Sequence, residues 1–143
     1  MFSHASVVHL VGNLYTLDLF ATFVLSPGKL TVPSFWGLYL AAGVAGGALS
    51  NFEHAMRGFL VPSLGASGGV FGLLTYALCC LPGDSVLRLF FVLPVTVDQA
   101  LMGALAVNVF FTLTIRRLRV NGTAHLGGMA VGAGLYALQH RNQ

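Results

Sequence analysis

Charge is what this sequence has least of. Seven Lys/Arg and four Asp/Glu make up 8% of the 143 residues, while 56% are hydrophobic; soluble domains carry about 25% charged residues. A chain this poor in charge cannot dress a water-facing surface, so its solvent is a lipid bilayer. The net charge of +3 is scattered, and no basic block with interleaved aromatics is present, which argues against nucleic acid as a partner. Cysteine is almost absent too. Cys79 and Cys80 are adjacent in an apolar run, where neighbours bridge poorly and two thiols without nearby His or Cys make no zinc site. They read as buried, inert thiols. The opening MFSHASVVH has no cationic stretch of a secretory leader, and no Arg- and Ser-rich transit segment follows it. One compact domain over residues 1–143 is the expectation at this length.

What is present is a series of apolar runs broken by turn signals. Five helices are predicted, as an all-α polytopic bundle: Ala5 to Leu25, Phe35 or Trp36 to Ser50, Ser67 to Leu81, Thr96 to Thr114, and Thr123 or Ala124 to Gln139. Ser26-Pro27-Gly28-Lys29 ends the first, Pro82-Gly83-Asp84 the third, and Asn121-Gly122 precedes the fifth. Between the second and third, residues Asn51 to Ala66 read as the longest loop, carrying Glu53, His54 and Arg57. Val86 to Leu93 is apolar but short and is interrupted by Pro94, so it reads as an interfacial approach to the fourth helix. Helices of about 15 residues reach only ~23 Å, short for a ~30 Å hydrocarbon core. Local thinning of the bilayer or a sunken helix start follows. Arg57, Arg116, Arg117 and Arg119 fall on one side of the membrane and Lys29, Arg88 and Arg141 on the other, too even a split for the positive-inside rule to set orientation.

Against this apolar background a few polar residues converge. Consecutive helices joined by short loops alternate direction, so the first, third and fifth enter from the same face. His9 and Asn13 lie in the first turns of the first, Ser67 at the start of the third, and His125 at the start of the fifth. All four sit at similar shallow depth. His9 and Asn13 are four apart and share a helix face. Gly68 and Gly72 beside Ser67, and Gly128 and Gly132 beside His125, form small-residue stripes that let backbones approach. If those stripes meet, His125 stands beside Ser67.

That pairing points to nucleophilic chemistry. A serine hydroxyl attacks only when a base takes its proton, and neutral imidazole is the usual base near pH 7. Attack on a peptide carbonyl builds an oxyanion that needs preorganised donors, for which the Asn13 amide, the His9 imidazole and the Ser67 N–H are candidates. No acid is well placed for a third member: Asp18 and Asp98 lie farther along their helices, and Glu53 and Asp84 fall in loops. A Ser–His dyad is the expectation. Each polar residue alone also reads as an interhelical hydrogen bond worth about 0.6 kcal/mol. Asp18, deeper and half a turn from His9, has no role in this reading. Asn121-Gly122-Thr123 matches a glycosylation acceptor and reads instead as a turn.

These motifs together resemble the rhomboid intramembrane serine proteases. The matching segments are His9-Leu10-Val11-Gly12-Asn13, Gly65-Ala66-Ser67-Gly68-Gly69-Val70-Phe71-Gly72, and Ala124-His125-Leu126-Gly127-Gly128-Met129-Ala130-Val131-Gly132. Pro62 to Gly68 and the stretch from Leu81-Pro82-Gly83 to Leu93-Pro94 look most like the mitochondrial, presenilin-associated rhomboid-like branch, whose location would be the inner membrane. The resemblance implies Ser67 as nucleophile, His125 as general base, His9 and Asn13 in the oxyanion hole with Gly65 in the loop that shapes it, and Phe71 stacked on the histidine. It implies transmembrane protein substrates and no metal or cofactor. Family cores have six helices, the first preceding the His–Asn helix, so the chain reads as truncated at its N-terminus. Two other functions compete: an inactive rhomboid-like binder of transmembrane helices, and a small proton- or ion-coupled transporter using Asp18, Asp98 and the histidines as a relay.

Overall fold

A computed structural model describes residues 7–58, 66–89, 92–114 and 121–141. Within them the elements are α1 (Val7–Val24), α2 (Val32–Met56), α3 (Ser67–Cys79), β1 (Val86–Leu89), β2 (Leu93–Thr96), α4 (Val97–Thr114) and α5 (Gly122–Gln139). The helical architecture is as expected. Two of the helices, Val32–Met56 and Val97–Thr114, are long and apolar enough to cross a membrane by length and composition.

The second helix departs most from expectation. It starts earlier because Thr31 is its N-cap: its Oγ1 accepts from the Ser34 N–H at 3.3 Å. Pro33, read from sequence as loop, sits in the first turn, where a missing N–H costs nothing. At the other end the helix runs through Ser50 and Asn51 and stops only at Arg57, followed by Gly58 at φ +72°, a conformation that favours glycine just past a helix end. Glu53 and His54 therefore lie on α2, not in a loop, and Arg57 is its C-cap, paired with Glu53 at 2.7 Å.

The stretch before α4 is a β-hairpin rather than an interfacial approach. β1 and β2 pair antiparallel with Val86 opposite Thr96 and Arg88 opposite Pro94. Proline is tolerated because each strand of a two-stranded ribbon is an edge. Thr96 then starts α4 through reciprocal bonds, Thr96 N–H to Gln99 Oε1 at 3.0 Å and Gln99 N–H to Thr96 Oγ1 at 3.2 Å. This is a capping box, with Gln99 three residues on.

α3 is the central helix, flanked by α1, α2 and α5, while α4 lies against α5. Ten of its residues are buried, including Leu73 and Tyr76. Glycines set how closely its neighbours approach. A Cβ on Gly128 would collide with the carbonyl of Gly68, one on Gly132 with that of Gly72, and one on Gly46 with that of Ala124. On α2 the contact belongs to Gly46; Gly47 has nothing within 4 Å of an added Cβ. The outside is the reverse of a soluble protein. Val11, Leu14 and Leu19 on α1, Val44 and Phe52 on α2, and Met102, Phe110 and Leu113 on α4 are all exposed. Such continuous apolar surface needs lipid or protein over it.

Filling the three-helix junction is expected to be costly. Gly46→Ala should destabilise the protein by about 1–3 kcal/mol through overpacking. Gly47→Ala should be neutral or stabilise it by up to ~1 kcal/mol through helix propensity. Thermal unfolding of the two variants in the same detergent reads the difference.

Candidate active site

Two helix beginnings make the site. Ser67 is the first residue of α3 and His125 lies in the first turn of α5. The glycine contacts just described bring those two turns side by side. The result is a hydrogen bond: His125 Nε2 lies 2.9 Å from Ser67 Oγ, with both residues buried. Phe71, one turn after Ser67, stacks on the imidazole at 4.2 Å between ring centroids and 19° between planes. It covers one face of the ring and restrains its rotation.

The start of α5 is tied down by polar groups from α2. Asn121 Oδ1 caps the helix by accepting from the Ala124 N–H at 3.0 Å. Its Nδ2 donates to the fully buried Ser50 Oγ at 2.6 Å. Thr123 Oγ1 donates to the Glu53 carboxylate, which also holds Arg57. The Asn121-Gly122-Thr123 string is thus the cap of α5. Because His125 is one turn further on, its N–H donating to the Asn121 carbonyl at 3.2 Å, these bonds fix where the imidazole stands.

The remaining positions singled out from sequence are distributed as follows. His9 is half-buried on α1. Asn13 is half-buried on the same helix, and its Nδ2 is buried with no hydrogen-bond partner among the described residues. Gly65 lies outside the described residues. Gly68, Gly72, Gly128 and Gly132 all stand at the α3–α5 contact. Asp18 is exposed on α1, and Asp98 is exposed at the start of α4, where its carboxylate lies against Gly83. Neither carboxylate bonds to the imidazole, whose two nitrogens are both engaged.

The second nitrogen is taken by a residue sequence reasoning missed. His125 Nδ1 lies 2.7 Å from Oδ1 of Asn108, on α4. The signal was available: an asparagine flanked by Leu105-Ala106-Val107 and Val109-Phe110-Phe111 is a polar group at membrane depth, a functional-site candidate by default. Its depth also agrees. Six residues before the end of α4, it lies ~9 Å from the face at which α5 begins.

Among the described residues, no three His, Cys, Asp or Glu side chains cluster in a way that would hold a metal ion. A separate cavity of about 430 Å³, lined by Gly28, Lys29, Tyr76, Cys80, Tyr136 and His140, opens at the far ends of α3 and α5, away from Ser67.

The structure thus sets a buried serine against an imidazole inside an apolar-surfaced helical bundle. A family model described as the Rhomboid domain matches residues 1–142, and the chain belongs to the rhomboid family. It is 33% identical over 132 residues to "Presenilin-associated rhomboid-like protein A, mitochondrial" of Danio rerio, covering 92% of this chain and 34% of that protein. With "Presenilin-associated rhomboid-like protein, mitochondrial" of Homo sapiens it is 31% identical over 134 residues, covering 92% and 34%. With "Rhomboid protein 1, mitochondrial" of Saccharomyces cerevisiae it is 31% identical over 133 residues, covering 92% and 38%. These relatives place it in the mitochondrial, presenilin-associated rhomboid-like branch, as a multi-pass mitochondrial membrane protein. The chain spans about a third of the length of the vertebrate relatives it matches. No solved structure matches it.

The polar clamp at α5 has its own test. Asn121→Ala removes a helix cap, worth about 1 kcal/mol, and leaves buried Ser50 without its donor. The expected loss is about 1–3 kcal/mol, read from the denaturant midpoint in detergent. Ser50→Ala keeps the cap and should cost less.

Proposed function

We propose that this chain carries the catalytic centre of an intramembrane serine endopeptidase that cleaves membrane-spanning segments of other proteins through Ser67 and His125. The observation that carries the reading is the 2.9 Å contact between the serine hydroxyl and imidazole Nε2, buried in a lipid-facing bundle. In this reading all five helices belong to the membrane bundle.

The chemistry follows from the arrangement. Nε2 of neutral His125 takes the Ser67 proton as Oγ attacks the scissile carbonyl. The imidazolium then gives that proton to the leaving amine, and an acyl group remains on Ser67. Water, deprotonated by the same nitrogen, hydrolyses the ester and restores the hydroxyl. Negative charge on the former carbonyl oxygen needs donors that do not reorganise. The Nδ2 of Asn13, buried and without a partner among the described residues, supports its assignment to that role. His9 and Gly65 are assigned to it with Asn13. Ser67 also begins α3, and the first N–H groups of a helix have no intrahelical acceptor, so its own N–H is a further donor. Phe71 keeps the ring in plane for both proton transfers. No step requires a metal or cofactor.

A fluorophosphonate probe on detergent-purified protein tests the proposal. Ser67 should be labelled, and labelling should fall by at least ~10²-fold in His125→Ala and vanish in Ser67→Ala. It should also decline as pH is lowered through the titration of His125, because an imidazolium cannot accept the serine proton. Folded protein that never labels would instead be an inactive binder of transmembrane helices.

A further inference from the structure

We infer that Asn108 is a positioning residue for the imidazole: it holds His125 in the Nδ1–H tautomer and leaves Nε2 as the lone pair facing Ser67. The inference rests on the proposed roles of Ser67 and His125, and it adds a third member that is an amide rather than an acid.

The argument turns on which way the amide points. An asparagine side chain has a donor end and an acceptor end, and only its partners tell them apart. Here one end lies 2.8 Å from the carbonyl of Ala104, one turn back on α4. A carbonyl only accepts, so that end is Nδ2. The other end, Oδ1, therefore faces His125 Nδ1 at 2.7 Å. Since Oδ1 also only accepts, the proton of the neutral imidazole must be on Nδ1. Nε2 is left without a proton, 2.9 Å from Ser67 Oγ, in the state needed to receive one. The opposite tautomer would set two lone pairs against each other at Nδ1, and its Nε2–H would donate to Ser67 Oγ, leaving no lone pair to receive the serine proton.

The fold holds Asn108 in place for this. It is only 2% exposed, on a helix whose other described residues, Val97 apart, are at least partly exposed. Thr112 Oγ1 donates to its carbonyl at 2.9 Å. Gly122 lies so close to that carbonyl and to Thr112 Oγ1 that a Cβ there would collide with both. α4 and α5 thus touch backbone to backbone one turn before His125. With Ser67 in front and Phe71 over one face, Asn108 closes the far side of the ring. Its neutrality suits the location. A carboxylate in the same place would carry the desolvation penalty of a charge buried in a bilayer protein, whereas an amide orients the imidazole without one.

Nitrogen-15 NMR of the full chain in detergent micelles reads the tautomer directly. The expected result is His125 as the Nδ1–H form near neutral pH; an Nε2–H form would overturn the inference without any variant. Asn108→Leu keeps the branched side-chain shape with some added bulk and removes the acceptor, so it should give a mixture of tautomers. Fluorophosphonate labelling of Ser67 should then slow by at least ~10-fold, part of the ~10²–10⁴ that a positioned base contributes. Asn108→Asp restores an acceptor and should recover the Nδ1–H form and most of the rate. Labelling by Asn108→Leu at the unmodified rate would also overturn it. If the unsubstituted protein shows the Nδ1–H form yet never labels, the tautomer assignment stands and the protease reading fails.

Discussion

Everything in this molecule depends on three backbones being allowed to touch. In a bilayer, helices gain nothing from hiding apolar side chains from one another, since lipid tails are as apolar as leucine; close packing and hydrogen bonds must hold them. α2, α3 and α5 meet where Gly46, Gly68 and Gly128 leave no Cβ between them. The contact serves cohesion and, on the proposed function, sets the reacting pair, because Ser67 and His125 stand within a turn of those glycines. A side chain at Gly46 or Gly128 would push apart the helix starts that carry Ser67 and His125.

Around that contact the polar groups form one connected layer. Glu53, Thr123, Asn121 and Ser50 hold the start of α5 against α2, and Asn108 holds the imidazole from α4. Polar groups in such surroundings are costly when unpaired, and most here are paired. Asn13 Nδ2 and Thr75 Oγ1 are buried without a partner among the described residues.

Much of this was legible in the sequence, for identifiable reasons. Depth could be read because helix direction alternates, and that placed His9, Asn13, Ser67 and His125 at one level. The small-residue stripes at Gly68/Gly72 and Gly128/Gly132 indicated which faces meet. What escaped notice had weaker local marks. α2 looked short because Pro33 reads as a breaker unless its place in the first turn is known, and because Ser50 and Asn51 resemble a stop although the helix continues through them. The hairpin was hidden by strands of four residues with Pro94 inside one. Asn108 carries no motif; its polar character within an apolar run was readable, but its partner appears only when α4 is laid against α5. Glu53, taken for a loop residue, acquires its role only once α2 extends far enough to reach Thr123.

The most direct test of the central claim compares two glycines on α5. Gly128 would drive a Cβ into the Gly68 carbonyl, whereas Gly134 has nothing within 4 Å of one. Displacing a reacting group by about 1 Å can cost ~10²-fold in rate. The account predicts that fluorophosphonate labelling of Ser67 slows by at least ~10-fold in Gly128→Ala and is unchanged in Gly134→Ala. Equal labelling rates in the two variants would contradict it.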